Sequence, residues 1–456
     1  MNDHGIFEGI VLFLLAALVG AQAVAATADR REEPRLQVRL YLAALALRFA
    51  ASLAIYEFGL VQVLLDEDAS GWHGGVYLYQ RWTRQGVGLF DLPTVLAGAF
   101  GTPTRNLGYQ HLLGMLFYVT DLPARLPAAV LDNVAGALTV VLVFRIAALL
   151  FSPWVARRVG WWSCLTPSLI VWSAQTLKEP VVILLETLAL HACIRLRTTR
   201  QRGGIPLVCT AAVVLLVAFR FYAAYLTAAV VVLSLAMPRL RDRRPTVGLA
   251  LVIGGVLATF LIATGLLAQH QAMLESYDLA HLQAVRDYTA RTAGSGVLVG
   301  YDLRSWPGLV ASIAIGAAHL LLAPFPWQLA GGSARMLLTV PDVVVWWWLV
   351  FAGLVPGLRA VARQRRGDVL PLLGFVLGMG LLYSLTFSNV GLAYRQRAQL
   401  LPWLLIFAMA GLEQRVLRRS AHGRPKPWEL LERWRMRPIS DPDDPLGRSV
   451  AITRAG

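Results

Sequence analysis

Apolar segments long enough to cross a bilayer recur along the whole chain, separated by short polar loops. An α-helix needs about 20 predominantly apolar residues to cross the hydrocarbon layer. The pattern therefore predicts an all-α polytopic membrane protein with about 11 to 12 transmembrane helices. The candidate segments are residues 6 to 27, 40 to 64, 127 to 151, 159 to 174, 180 to 196, 205 to 219, 222 to 238, 246 to 268, 342 to 358, 368 to 387 and 398 to 413.

Arginine clusters occur at every second loop, as the positive-inside rule requires when the N-terminus is extracytoplasmic and the C-terminus cytoplasmic. The first apolar segment has no charged region ahead of it and is expected to be a retained helix. We predict a multi-pass protein of the bacterial plasma (inner) membrane. The clusters begin at Arg30, Arg157, Arg195, Arg239, Arg359 and Arg415.

Residues 306 to 323 do not fit this alternation, because a full crossing would place the Arg359 cluster outside. We expect this segment to be re-entrant, or paired with a second pass near residues 325 to 341. Non-helical backbone at membrane depth is tolerated only against protein or a wet cavity. The PFPW sequence at 324 to 327 is then a turn at the outer surface.

Composition agrees with the membrane class and excludes others. Hydrophobic residues make up 57% of the 456 residues and charged residues only 15%. The net charge of +15 lies in loops between apolar segments, so it indicates topology and no nucleic-acid partner. Cys164, Cys193 and Cys209 lie in apolar stretches without metal-ligand spacing, and neither a disulfide nor a metal site is expected from them.

The predicted topology divides the chain into a transmembrane domain, residues 1 to 413, and a basic cytoplasmic tail, 414 to 456, that is partly disordered. Two outer loops are long, 65 to 126 and 269 to 305, and long loops carry function more often than short ones. Within the second loop, residues 272 to 291 have the amphipathic period of an interfacial helix.

Three consecutive acidic residues begin the first outer loop: Asp66, Glu67 and Asp68. A partly desolvated carboxylate at a membrane surface can act as a general base on a hydroxyl. Asp66 and Asp68 could also hold a divalent cation beside a phosphate leaving group. The alternative is a solvated charge run that ends a helix. The residues that follow suit an interfacial belt or the walls of a sugar site: Trp72, His73, Tyr77, Tyr79 and Trp82.

Cationic side chains on the same predicted face are candidates for binding a phosphate. Paired guanidinium groups suit bidentate contact with phosphate, and a helix N-terminus adds backbone donors. Structural alternatives are a surface ion pair at a helix start, snorkelling of an arginine, and a helix cap with an interfacial anchor. The candidate substrate-binding residues are His73, Arg105, Lys178, Glu179, Arg220, Tyr222, Asn389, Arg395 and Arg397.

The order of these parts resembles the GT-C superfamily of integral-membrane glycosyltransferases, including the protein mannosyltransferase-like and aminoarabinose transferase-like families. The resemblance covers roughly residues 40 to 200. It lies in the acidic first outer loop with the spacing of Asp68 and Trp72, in the stretch YQHLLGMLFYVTDLPARLPAAVLDNVAGALTVVLVFRIAALLF at 109 to 151, and in PSLIVWSAQTLKEP at 167 to 180.

This resemblance implies sugar transfer from a polyprenyl-phosphate donor to a glycan, lipid or protein acceptor on the outer face, with inversion at the anomeric carbon. Asp68 would be the base, with Asp66 and Glu67 as alternates, and the cationic side chains would hold the donor phosphate. Such a reaction serves the assembly of cell-envelope polysaccharide or glycoconjugate. The sequence departs from the family pattern in having an extra helix before the acidic loop and no evident acceptor-binding domain.

Two other classes use lipid-linked sugars. A polysaccharide polymerase or O-antigen ligase of the Wzy or WaaL type depends on arginine and histidine in a late outer loop, and Arg286 and Arg291 keep that reading open. A transporter of lipid-linked oligosaccharide would place charges near the bilayer midplane, with broken helices in both halves.

Overall fold

The computed structural model describes residues 5–28, 33–61, 69–86, 107–199, 203–237, 247–276, 278–297, 300–329, 339–364 and 367–421. These residues form helices joined by short connections, and within them no β-strand occurs apart from an isolated bridge between Gly296 and Asn389. The acidic run 66 to 68, Arg105 and the tail from residue 422 lie outside the described residues.

The helices are α1 (Ile6–Thr27), α2 (Pro34–Glu57), α3 (Ala69–Gln85), α4 (Gly108–Thr120), α5 (Arg125–Leu150), α6 (Pro153–Leu165), α7 (Pro167–Ser173), α8 (Glu179–Thr198), α9 (Ile205–Phe219), α10 (Phe221–Ala236), α11 (Val247–Ala263), α12 (Leu266–Ser276), α13 (Leu279–Thr292), α14 (Trp306–Leu322), α15 (Pro326–Leu329), α16 (Val340–Leu349), α17 (Val355–Gln364), α18 (Leu370–Leu385) and α19 (Val390–Ala421). A π-helical turn, Val350–Leu354, joins α16 to α17, so these two form one long apolar rod.

Six described helices are long and apolar enough to cross a membrane, or seven if the bent pair of α11 and the first part of α12 counts as one span. Three more apolar helices are shorter: α9, α10 and α14. The prediction of an all-α polytopic membrane protein is confirmed, while the number of crossings stays a prediction.

Two predicted segments are interrupted rather than continuous. The segment 159 to 174 is divided between α6 and α7, because Pro167 has no N–H to continue the hydrogen-bond ladder of α6. The segment 246 to 268 bends by 79° between α11 and α12. Gly265 adopts a φ of +69° at that bend, a left-handed conformation that glycine tolerates and that ends a helix.

The last predicted segment starts later in the chain than the helix that contains it. Residues 398 to 413 are only the middle of α19, which begins at Val390 and continues past residue 413. Asn389 caps this helix, since its side-chain oxygen accepts from the Leu392 N–H at 2.7 Å. Arg395 and Arg397 therefore lie inside this helix.

The core is centred on α5 and α19. Hydrophobic and small residues cover most of both helices, and α5 packs against α1, α2, α6 and α8. Trp403 and Phe407 of α19 are fully buried, and Trp403 meets the Phe375 ring of α18 edge-on at 5.7 Å between centroids. This packing fixes the depth at which the polar residues of α19 lie.

Glycines allow α19 to approach the α16–α17 rod closely. A Cβ at Gly357 would lie 1.9 Å from the Phe407 carbonyl oxygen, and a Cβ at Gly411 would lie 1.9 Å from the Gly353 oxygen. Small residues at such crossings allow the backbone contact that drives helix association in lipid.

We expect Gly357→Ala to lower the thermal unfolding midpoint of the protein in detergent, because the added methyl group forces these two helices apart. Overpacking of this kind costs about 1–3 kcal/mol. Gly380→Ala is the matched control, since a Cβ there meets nothing within 4 Å. An equal midpoint for both variants would show that the contact is not tight.

The helix ends that carry arginine residues lie together at one end of the bundle, which we call the arginine-rich end. Arg145 donates to Gln37 Oε1 at 2.7 Å and to the Val24 oxygen at 3.1 Å, which joins α5 to α2 and α1. Arg197 of α8 donates to the Ser234 carbonyl oxygen of α10. The opposite end holds the beginnings of α8 and α19 and the break between α9 and α10. That the arginine-rich end is cytoplasmic stays a prediction of the arginine pattern.

Helix α14 packs against α18 and α16 in its second half. Gly316 packs against the backbone of Ser384, at the end of α18 that is remote from the arginine-rich end. At the end of α14, Trp346 and Trp347 of α16 donate to the Leu321 and Leu322 oxygens, both at 2.7 Å. The re-entrant course of this segment stays a prediction.

Candidate functional site

A carboxylate at the start of α8 joins two arginines from distant parts of the chain. Glu179 Oε1 accepts from Arg220 Nη2 at 2.7 Å, and its Oε2 accepts from Arg395 Nη2 at 2.8 Å. The Glu179 side chain is 6% exposed, Arg220 11% and Arg395 25%. Removing one member of such a poorly solvated ion pair destabilises the protein, because the remaining charge is buried without a partner.

Arg220 occupies a break between two apolar helices. Its backbone is extended, with a φ of −160°, between the end of α9 and the start of α10. The guanidinium lies over the Tyr222 ring at 5.6 Å and donates to Gln399 Oε1 at 2.9 Å. Contacts with Glu179, Gln399 and Tyr222 therefore hold the Arg220 guanidinium in one orientation.

The polar network continues from Arg220 into the bundle. Tyr383 donates its hydroxyl proton to Gln399 Oε1, and Gln399 Nε2 donates to Glu186 Oε1. Glu186 is fully buried, two helical turns or about 10 Å along α8 from Glu179. Two carboxylates, two arginines and a glutamine thus form one chain of contacts that descends from the surface of the bundle.

Arg395 is the most accessible arginine of this network. It extends from the second turn of α19 and lies over the Trp172 ring at 5.8 Å. Lys178 directly precedes Glu179 and is half-buried. Arg395 and Lys178 therefore border the network on its accessible side, and the local charge of Lys178, Glu179, Arg220 and Arg395 is positive.

The segment that carries Lys178 is held by buried polar groups of α2 and α5. Ser52 donates to the Ala174 oxygen at 2.8 Å, and Tyr56 accepts from the Thr176 N–H at 3.1 Å. Asp132 Oδ2 accepts from the Leu177 N–H at 3.3 Å and from the Tyr109 hydroxyl at 2.6 Å. These bonds replace the ones a continuous helix would make, so the turn before α8 is rigid.

Helix α3, which follows the acidic run directly, packs against the same half of the bundle. Trp72 meets the Phe117 ring at 5.2 Å between centroids and lies 4.7 Å below the Arg125 guanidinium. Arg125 begins α5, two turns before Asp132. The described part of the first outer loop therefore borders the helix that positions Lys178.

The structure brings together Lys178, Glu179, Arg220, Tyr222 and Arg395 from the predicted residues. Arg397 points elsewhere: it is 1% exposed and donates to the Ala323 oxygen at 2.8 Å. His73 is exposed on α3, and Asn389 caps α19. Asp66, Glu67, Asp68 and Arg105 lie outside the described residues, so their predicted roles stay predictions.

Sequence reasoning missed the interior part of the network, Glu186 and Gln399, and the positioning carboxylate Asp132. Acidic residues inside apolar segments are costly and were a usable signal for Asp132 and Glu186. No such signal existed for Gln399, since an uncharged amide in a helix is common. No group of three or more potential metal ligands occurs among the described residues, and the suggested cation at Asp66 and Asp68 is outside them.

No family model and no curated protein matches this sequence. Among solved structures, the chain is similar to the archaeal oligosaccharyltransferase AglB from Archaeoglobus fulgidus, solved in complex with an inhibitory peptide and a dolichol-phosphate. The TM-score is 0.44 and the sequence identity 11%, over 86% of this chain and 53% of that protein. This chain thus spans about half the length of AglB.

Proposed function

We propose that this protein transfers a sugar from a polyprenyl-phosphate-linked donor to an acceptor on the extracytoplasmic face of the membrane. The observation that carries the proposal is the convergence of Arg220 and Arg395 on Glu179, beside Lys178, at the end of the bundle opposite the arginine-rich end. Clustered cations at a membrane surface suit a phosphate that leaves as an anion. AglB, the similar structure, was solved with a dolichol-phosphate.

In this proposal the residues of the network have different tasks. Arg395 and Lys178, on the accessible side, contact the donor phosphate and stabilise the charge that develops as the bond to the sugar breaks. Glu179 keeps the two guanidinium groups in place, and Arg220 links them to Gln399. Asp68 takes the proton of the acceptor hydroxyl, which then attacks the anomeric carbon while polyprenyl phosphate departs.

The experiment is donor consumption by the purified protein in proteoliposomes. Synthetic polyprenyl phosphate-linked hexoses are supplied one at a time with an extract of native membranes as acceptor, and released polyprenyl phosphate is measured. Arg395→Ala is expected to raise the half-saturating donor concentration about 10- to 100-fold, since a hydrogen bond to a charged group contributes about 1.5–3 kcal/mol. Arg395→Lys retains the positive charge, so it should raise the half-saturating donor concentration less than Arg395→Ala does.

Release of polyprenyl phosphate from no donor would contradict the proposal. An unchanged half-saturating concentration in Arg395→Ala would remove that residue from the phosphate site. Arg397→Ala is the comparison within the same helix, because Arg397 is bound to carbonyl oxygens of the α14 end and is expected to affect stability more than donor affinity.

A transporter of lipid-linked oligosaccharide is the second candidate, because the described structure places ionisable groups deep in the bundle. Glu186 and Asp132 are fully buried. The same proteoliposomes distinguish the two functions. A transporter moves intact donor across the bilayer without releasing polyprenyl phosphate.

A further inference from the structure

A long apolar cleft lies between α6, α16 and α19, outside the polar network. Its volume is about 790 Å³, within the range of pockets that bind small molecules. Its walls are mainly indole rings and leucines: Trp154, Trp161, Trp162, Trp346, Leu349 and Leu405.

The cleft opens sideways, toward the lipid. Three residues of its rim are apolar and well exposed: Trp161 at 39%, Leu165 at 56% and Val345 at 43%. In helices of a membrane protein, exposed apolar side chains face hydrocarbon. The occupant that such an opening admits is a hydrocarbon chain that enters from the bilayer.

One end of the cleft is basic. Arg157 and Arg158 border it close to the start of α6, at the arginine-rich end of the bundle. Arg158 lies over the Trp154 ring at 5.2 Å, and Arg157 is bound to Glu33 at 3.0 Å, so both guanidinium groups are held at the cleft. Basic residues beside an interhelical pocket attract anionic head groups.

The charges at the other end of the cleft are already compensated. Asp342 accepts from the Tyr394 hydroxyl at 2.7 Å, and Arg397 is buried against the carbonyl oxygens at the end of α14. At the opposite end of the cleft, Arg157 and Arg158 outnumber Glu33, the carboxylate that pairs with Arg157, so a net positive charge remains there.

We propose that this cleft binds an anionic phospholipid of the leaflet at the arginine-rich end, with its phosphate on Arg157 and Arg158 and one acyl chain along Trp162 and Leu349. The site is separate from the polar network and does not depend on the sugar-transfer proposal. Because the cleft lies between α6, α16 and α19, the bound lipid contacts all three helices.

The test uses the full-length protein in nanodiscs. Phosphatidylglycerol with brominated acyl chains is titrated into a phosphatidylcholine bilayer, and quenching of tryptophan fluorescence is followed, with brominated phosphatidylcholine as the uncharged probe. We expect the anionic probe to quench at a lower mole fraction. Arg158→Gln should raise its half-quenching fraction about five-fold, the contribution of one arginine near an anionic surface.

Two matched controls locate the effect. Arg359→Gln removes an exposed arginine that does not line the cleft, and it should leave the half-quenching fraction unchanged. Val345→Phe fills the cleft and should abolish the preference for the anionic probe, while Val344→Phe, 56% exposed and not part of the lining, should keep it.

Equal quenching by the two probes in the wild type would overturn the proposal. So would displacement of the anionic probe by polyprenyl phosphate at a far lower fraction than by unbrominated phosphatidylglycerol, because the cleft would then hold a prenyl chain. Loss of the preference in Val344→Phe as well as Val345→Phe would also overturn it.

Discussion

Asp68→Asn is expected to reduce sugar transfer by about 10²- to 10⁴-fold, the contribution of a positioned general base. Asparagine has nearly the shape of aspartate but cannot accept the proton of the acceptor hydroxyl. The protein should therefore retain its unfolding midpoint and its half-saturating donor concentration. The measurement is the rate of polyprenyl phosphate release at saturating donor.

Asp66→Asn and Glu67→Gln are the controls for this prediction, since they remove neighbouring charges from the same run. If either residue is a metal ligand or adjusts the pKa of Asp68, its variant should lose less activity than Asp68→Asn. Full activity in all three variants would rule out a base in the acidic run. A loss that added Mg²⁺ or Mn²⁺ reverses would instead identify a cation site there.

Glu179→Gln is expected to destabilise the protein by about 3–5 kcal/mol, the cost of removing one member of a buried ion pair. The neutral amide leaves the Arg220 and Arg395 guanidinium groups close together without their shared carboxylate. Thermal unfolding in detergent should show a lower midpoint, and donor consumption should decrease with it, because the two arginines are no longer held in place.

Glu8→Gln is the control for Glu179→Gln, since Glu8 is exposed in the first turn of α1. The double variant Glu179→Gln with Arg220→Gln should be less destabilised than the sum of the two single variants, because it removes both charges of one pair. Additive losses would mean that the two side chains do not interact in the folded protein.

Some of the candidate site could be predicted from the sequence because charge in an apolar context is informative. Lys178, Arg220 and Arg395 each interrupt apolar sequence on the side opposite the arginine-rich loops, and all three come together at Glu179. Arg397 has the same sequence context as Arg395 but a different environment. The two residues are about 200° apart around α19, so one borders the network and the other binds the end of α14.

Helix boundaries were less predictable than helix existence. Hydropathy marks where a chain is apolar, whereas a proline, a left-handed glycine or a capping asparagine decides where a helix stops. Pro167 and Gly265 each divide a predicted segment, and Asn389 caps α19 at a start earlier than predicted. These signals were present in the sequence but were outweighed by apolar runs that continue across them.

The sequence by itself determined the class of this protein, because burial of so many apolar residues is possible only in a bilayer, and the arginine clusters order the loops into two sets. Only the tertiary structure decided which polar residues act together. Glu179, Arg220 and Arg395 are far apart in the chain, and their contact follows from how α8, α10 and α19 pack. Such packing depends on side-chain shape across many helices, which no local pattern of hydrophobic and polar residues encodes.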